Sequence, residues 1–194
     1  IGWNQDNEAV DFYDVKGVVE ELLARLSIAK YTVESGEHFA LHPGKTAFFK
    51  KGREVIAVLG EVHPTVLKAL GIHKKAYIFE MDVETLLKYR AKNFRYEPLP
   101  RFPAISRDLA LLVDEQTDAA QLARTIEKSA GKFFKDLHLF DVYTGEQVAE
   151  GKKSMAFSVD FQSADKTLKD EEADEAVAKI LAALQKECGA ELRA

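Results

Sequence analysis

Apolar positions recur along the first half of the chain in two periods. Val15, Val18, Val19, Leu22, Leu23 and Leu26 follow i, i+3, i+4, i+7 spacing, which predicts a helix with one buried face, capped by Asp14. Phe48-Phe49, a turn at Gly52 and the run Val55–Val62 predict a β-hairpin. The second arm is almost continuously apolar, as expected of a strand buried on both faces. Pro64 opens a short helix through Leu67 and Leu70 that Gly71 ends. Ala76–Asp82 reads as a further strand and Val83–Tyr89 as a short helix. This half is expected to be α+β around an antiparallel sheet.

The second half has a cleaner pattern. Asp108–Val113 is a strand; Asp118 caps a helix that turns Leu122, Ala123 and Ile126 inward and closes at Gly131. Leu137–Tyr143 is a second strand, with Thr144-Gly145-Glu146 opening the turn. Ser154–Gln162 alternates strictly, with Met155, Phe157, Val159 and Phe161 on one face and Ser154, Ala156, Ser158, Asp160 and Gln162 on the other. Thr167-Leu168-Lys169-Asp170 has the form of a capping box. The helix behind it would bury Val177, Ile180, Leu181, Leu184 and Cys188 and end at Gly189. Glu191-Leu192-Arg193 is left for an edge strand. The order βαββαβ is that of a ferredoxin-like fold. Between the halves, Tyr96–Pro103 holds three of the five prolines and is expected to be an extended linker. The expected organisation is thus residues 1–95, a Pro-rich linker at 96–103, and a second domain over 101–194.

Composition changes the picture in one respect. Net charge is −5, and it lies in the second half: residues 1–100 carry 14 basic and 14 acidic side chains, residues 101–194 carry 13 and 18. Bulk attraction to nucleic acid is therefore not expected from charge alone. The single cysteine, Cys188, excludes an internal disulfide and fits a reducing compartment, the cytoplasm. No apolar run reaches the roughly 18 residues of a membrane span. The opening Ile1-Gly2-Trp3, without an initiator Met, reads as a piece of a longer protein.

Catalytic chemistry finds little to use. His38-x-x-x-His42 has helical metal-ligand spacing, but Pro43-Gly44 places it in a loop, where that spacing carries little; His63 would be a third ligand. No Ser lies in a nucleophile elbow. Gly44-Lys45-Thr46 is only the tail of a phosphate loop. Lys50-Lys51 and Lys74-Lys75 read as solvated turns. The alternating strand puts its phenylalanines towards the helices, so its centre offers no aromatic platform to a base. RNA contact would then fall to strand ends and loops: Arg101, Arg107, Lys132, Lys135, Lys152, Lys153, Lys166 and Lys169. Much of the acid sits apart, in Asp170–Glu175, where it complements a helix N-terminus.

Seven segments together carry a resemblance. They are Asp11–Gly17, Leu41–Ala47, Gly60-Glu61-Val62-His63-Pro64, Arg101–Ala110, Leu139–Tyr143, Gly151–Phe157 and Thr167-Leu168-x-Asp170-Glu171-Glu172. In this order the chain resembles the C-terminal part of the β subunit of bacterial phenylalanyl-tRNA synthetases. The resemblance implies an inactive class II synthetase-like partial domain over residues 1–95, packed on a catalytic α subunit, and a ferredoxin-fold anticodon-binding domain over 101–194. It further implies tRNA(Phe) and an α2β2 heterotetramer as partners. ATP and magnesium belong to the whole enzyme, with no catalytic residue, metal or cofactor in this part. Phe140 or Tyr143 would be the exposed aromatic that stacks an anticodon base. The alternative is a protein-docking module without RNA contact, favoured by the acidic balance.

Overall fold

The computed structural model describes residues 9–91, 99–145 and 148–193. The chain divides into two compact units, residues 1–96 and 97–194. Part of the expected linker, Tyr96–Pro98, and Glu146 of the expected turn lie outside the described residues.

Unit 1 begins with α1, Phe12–Arg25. Its cap is Asp11, not Asp14. Asp11 Oδ1 accepts from the Tyr13 and Asp14 amides at 2.7 and 3.1 Å, and Asp14 Oδ2 accepts from the Asp11 amide at 2.7 Å. Two aspartates three apart satisfy each other's amides, so the first takes the cap and the second becomes the third helical residue. The buried stripe is narrower than the spacing predicts. Val19 and Leu23 are fully enclosed, whereas Val18 and Leu22 are 50% and 38% exposed.

The strands β1 (Thr32–Ser35), β2 (Leu41–Lys51), β3 (Glu54–Val62) and β4 (Tyr77–Met81) form one antiparallel sheet in that order. The short helices α2 (Pro64–Ala69) and α3 (Val83–Tyr89) flank β4 in sequence. β3 is central, which explains its continuous apolar run: Ile56, Ala57, Leu59 and Val62 are buried. β1 has no sequence signal, being four largely exposed residues. His42–Lys45 is an irregularity inside β2 rather than a separate loop, between the pairs Leu41–Val62 and Thr46–Gly60. It presses on β3 so closely that a Cβ on Gly60 would lie 2.5 Å from the Lys45 carbonyl oxygen.

Unit 2 contains β5 (Ile105–Asp114), α4 (Ala119–Ser129), β6 (Phe134–Tyr143), β7 (Lys152–Phe161), α5 (Asp170–Cys188) and β8 (Glu191–Leu192). The sheet order is β6-β7-β5-β8, antiparallel throughout, which is the ferredoxin-like arrangement. The predicted phase of β7 holds: Met155, Phe157, Val159 and Phe161 are buried. They pack with Leu109, Leu111 and Val113 of β5, Leu122 and Ile126 of α4, and Ile180 and Leu184 of α5. Ala173 and Ala176 also line the buried face of α5, while Val177, Leu181 and Cys188 pack at its margin. The α5 cap is Lys169 rather than Thr167; its amide donates to Glu172 Oε2 at 3.2 Å. β5 and β6 each begin three residues earlier than predicted, where Ile105 and Phe134 flank Phe161.

Two tests follow from these contacts. Phe157→Ala should destabilise unit 2 by about 3–5 kcal/mol, read by urea unfolding, because a fully enclosed ring leaves a cavity between sheet and helices. The second concerns Glu61, only 6% exposed, whose carboxylate accepts from Lys45 Nζ at 2.6 Å and the Tyr77 hydroxyl at 3.3 Å. The Lys45 hydrogen bond holds its carboxyl below the usual value although burial opposes this. A depressed folded-state value stabilises above the ordinary carboxylate range, about pH 4, and is lost as pH falls through the folded value. Glu61→Gln should therefore flatten the acid limb of unit 1 stability below the ordinary carboxylate range. An unchanged acid slope would assign that limb to other carboxylates.

Candidate nucleic-acid interface

The helices cover one face of the unit 2 sheet and leave the other open. Register fixes what stands on that open face, in rows across β5, β7 and β6. Ser106, Asp160 and Asp136 form the first row, then Asp108, Ser158 and His138, then Ala110, Ala156 and Asp141. Leu112, Ser154 and Tyr143 form the fourth, beside Asp114 and Lys152. The face is thus acidic at one end and carries an aromatic ring and a lysine at the other.

The basic candidates divide accordingly between the two ends of the sheet, about 30 Å apart along a ten-residue strand. Arg101, Arg107, Lys132, Lys135, Lys166 and Lys169 gather where β5 begins, β7 ends and α5 starts. Arg107 is committed there to a structural role. Its Nη2 donates to Asp170 at 2.6 Å and its Nε to Asp174 at 2.9 Å, so one guanidinium spans two turns of α5 and ties them to β5. Those hydrogen bonds raise the Arg107 pKa further above its usual value. Lys166 pairs with Glu172 at 2.6 Å, which lowers the Glu172 pKa. Lys132 and Lys166 sit 4.7 and 5.8 Å from the Phe133 ring centre, beside a groove of about 290 Å³ floored by Ala130, Gly131 and Ala176. Arg101, Lys132, Lys135 and Lys169 are exposed.

The other end carries Phe140, Tyr143 and Lys152, with Lys153 at the same strand end but paired with Val113 on the helix-side parity. Phe140 is the extra residue of a bulge between Leu139 and Asp141 and is 52% exposed. Lys152 reaches Asp114 at 3.5 Å, while Lys153 makes no ion pair among the described residues. Sequence reasoning did not name Arg193 as part of this site. Its amide donates to the Ala110 carbonyl at 2.8 Å, which extends the β8 edge beyond Leu192. Its guanidinium carbon then lies 5.5 Å from the Tyr143 ring centre. Tyr143 and Arg193 come from opposite edges of the sheet, so they can meet only over β7 and β5, spaced about 4.8 Å apart. This accounts for Ser154, expected on the open face, being only 5% exposed. At this end the open face carries a tyrosine from β6 set against an arginine, while β7 itself presents no aromatic ring there. The signal that could have found it was the last-strand phase: with Leu192 opposite Leu111 on the helix side, Arg193 belongs to the open side.

The histidine candidates do not fit a metal. His38, His42 and His63 each use Nδ1 to accept a backbone amide, from Ala40 at 3.3 Å, Gly44 at 3.1 Å and Thr65 at 3.2 Å. No group of three or more metal-ligating side chains is arranged to hold an ion among the described residues. Cys188 packs at the core margin, with its sulfur 3.6 Å from Thr125 Oγ1.

Comparison with known proteins agrees with both units. Residues 1–83 match the family described as phenylalanyl tRNA synthetase beta chain CLM domain, and residues 100–193 the ferredoxin-fold anticodon binding domain. The phenylalanine–tRNA ligase beta subunit of Syntrophotalea carbinolica is 45% identical over 99% of this chain, and that of Halalkalibacterium halodurans 44% over 98%. The counterpart from Bacillus licheniformis is 40% identical over 98%. The chain spans about a quarter of the length of these relatives, 24% in each. It therefore belongs to the phenylalanine–tRNA ligase beta-subunit family, of which it carries the CLM domain followed by the ferredoxin-fold anticodon-binding domain.

Proposed function

We propose that residues 101–194 hold the anticodon arm of tRNA(Phe), within a cytoplasmic α2β2 phenylalanine–tRNA ligase. The observation that carries this reading is the Tyr143–Arg193 stack on the open face, with Lys152 and Lys153 at the adjoining strand end. A ring backed by a guanidinium is a platform for an unstacked base. Asp141, on the same face and exposed, supplies an acceptor beside it. The lysines supply the phosphate contacts that fix register without reading sequence. The far end, where Arg107 and Lys166 are neutralised by α5, contributes less: only Arg101, Lys132, Lys135 and Lys169 remain there as cations without an ion pair among the described residues.

Residues 1–95 form part of the contact with the catalytic alpha subunit. The apolar side chains that the core does not use favour this: Tyr13, Val18 and Leu22 on α1, and Val83 and Leu87 on α3 are 38–72% exposed. ATP and magnesium would be held by other parts of the assembly; among the described residues no group of three or more metal-ligating side chains stands together.

Titration of the chain with labelled tRNA(Phe) at two salt concentrations tests the RNA reading. Tyr143→Ala should weaken binding by about 1–3 kcal/mol at both, the worth of one base–aromatic stack. Lys152→Ala with Lys153→Ala should instead lower the slope of log affinity against log salt by roughly 1 to 2. Wild-type titrations for both variants would sink the assignment and favour a docking module. In the assembled enzyme, Leu22→Asp should lower the fraction of beta subunit that elutes with alpha on gel filtration; unchanged co-elution would remove α1 from that contact.

A further inference from the structure

The connection between β6 and β7 closes against Tyr143. A Cβ on Gly145 would lie 2.5 Å from the Tyr143 hydroxyl oxygen, 2.6 Å from its Cζ and 3.2 Å from its Cε1. Non-bonded carbons settle at about 3.5–4.0 Å, so any larger residue at this position meets the phenol. The backbone beside the ring is held in place. The Val148 amide donates to the Gly145 carbonyl at 2.9 Å, and the Lys152 amide to the Ala149 carbonyl at 3.0 Å, where β7 begins. Gly145 is not one of the glycines with positive φ, unlike Gly151 in the same connection at 79°, so its backbone would accept an alanine. What glycine supplies here is room. The Arg193 guanidinium carbon stands over the same ring, 5.5 Å from its centre. The phenol is thus located at its hydroxyl end by the turn and on one face by the arginine.

We infer that Gly145 is a positioning residue for RNA binding: its missing side chain lets the turn hold the Tyr143 ring against Arg193, with the other ring face open to a base. The inference rests on the reading that Tyr143 stacks an anticodon base. A ring gains from stacking only in the orientation in which a base can lie along it. Two side-chain torsions set that orientation, and the contacts at the hydroxyl end and at Arg193 select among their wells. A methyl group at position 145 meets the far end of a side chain rather than backbone, so the ring is what yields. It turns away from Arg193, while the strands and the lysines keep their places. A glycine needed only to form the turn would behave differently. The turn leads into Lys152, so its distortion would move a cation and change the phosphate contacts as well.

The full chain is titrated with fluorescein-labelled tRNA(Phe) transcript at two salt concentrations, as wild type, Gly145→Ala, Tyr143→Ala and the double variant. The Arg193 side-chain protons are followed by NMR without RNA. Gly145 is exposed, and Gly145→Ala should unfold thermally with wild type. In wild type the Tyr143 ring current shields the Arg193 side chain. Tyr143→Ala should abolish that shift, and Gly145→Ala should reduce it. Gly145→Ala should weaken binding about tenfold at both salts, with the slope of log affinity against log salt unchanged. On the Tyr143→Ala background it should cost nothing further, because both changes remove one contact. Wild-type affinity or an unchanged Arg193 shift in Gly145→Ala, with Tyr143→Ala weakened, would overturn the inference and leave the base platform standing. A loss that multiplies with that of Tyr143→Ala, a lowered salt slope or an unfolded unit 2 would overturn it in favour of a purely structural turn. Affinity in Tyr143→Ala equal to wild type, or no binding by any form, would sink the platform reading and this inference with it.

Discussion

The alternation of β7 is the constraint on which unit 2 depends. A strand buried on one face alone divides its side chains by parity, and register passes that division to its neighbours. Met155, Phe157, Val159 and Phe161 commit one face to the helices. Ser106, Asp108, Ala110 and Leu112 of β5 must then stand on the other, together with Asp136, His138, Asp141 and Tyr143 of β6. The composition of the open face thus follows from the packing of the opposite one. A one-residue slip would expose Phe157 on the open face and bury Asp160 under α5.

This explains which features were legible in the sequence. The β7 phase, the helix ends at Gly131 and Gly189 and the βαββαβ order all come from local periodicity and caps. What escaped depends on partners far apart in the chain. Arg107 meets Asp170 and Asp174 across more than 60 residues, so it reads as a free cation until α5 is seen packed over β5. Arg193 and Tyr143 meet only because β8 and β6 close the sheet from opposite edges. The irregularities at His42–Lys45 and Phe140 escaped because an extra residue in one strand is defined by its neighbour. In α1, helical spacing counts the apolar residues but not which of them a partner must cover.

The charge of unit 2 loses its apparent conflict with RNA once the acids are located. Four of those on α5 are paired: Asp170 and Asp174 with Arg107, Glu172 with Lys166, Glu175 with Lys179. The acids of the first turn complement the helix N-terminus, and Asp170 and Asp174 hold it to β5 through Arg107. A net figure adds these to the free cations of the loops as if both met solvent equally. What a charged ligand would experience is the local balance, and near Tyr143 that balance sets Lys152 and Arg193 against Asp114 and Asp141.

The remaining acids are harder to assign to the fold. Asp136 and Asp160 stand directly opposite each other on β6 and β7, an arrangement that destabilises a sheet by a few tenths of a kcal/mol or more. Ser106 eases it by donating to Asp160 at 2.5 Å, and the Leu137 amide by donating to Asp136 at 2.9 Å. Neither aspartate has an ion pair among the described residues, nor does Asp108 in the next row. A face that served only stability would not oppose like charges where any small neutral pair would do. The proposed RNA reading gains from them, because carboxylates repel phosphate and, among the described residues paired across this end, no lysine or arginine stands on the open face to offset them. The acid of this domain is then part of how an RNA would be oriented on it, rather than an argument against one.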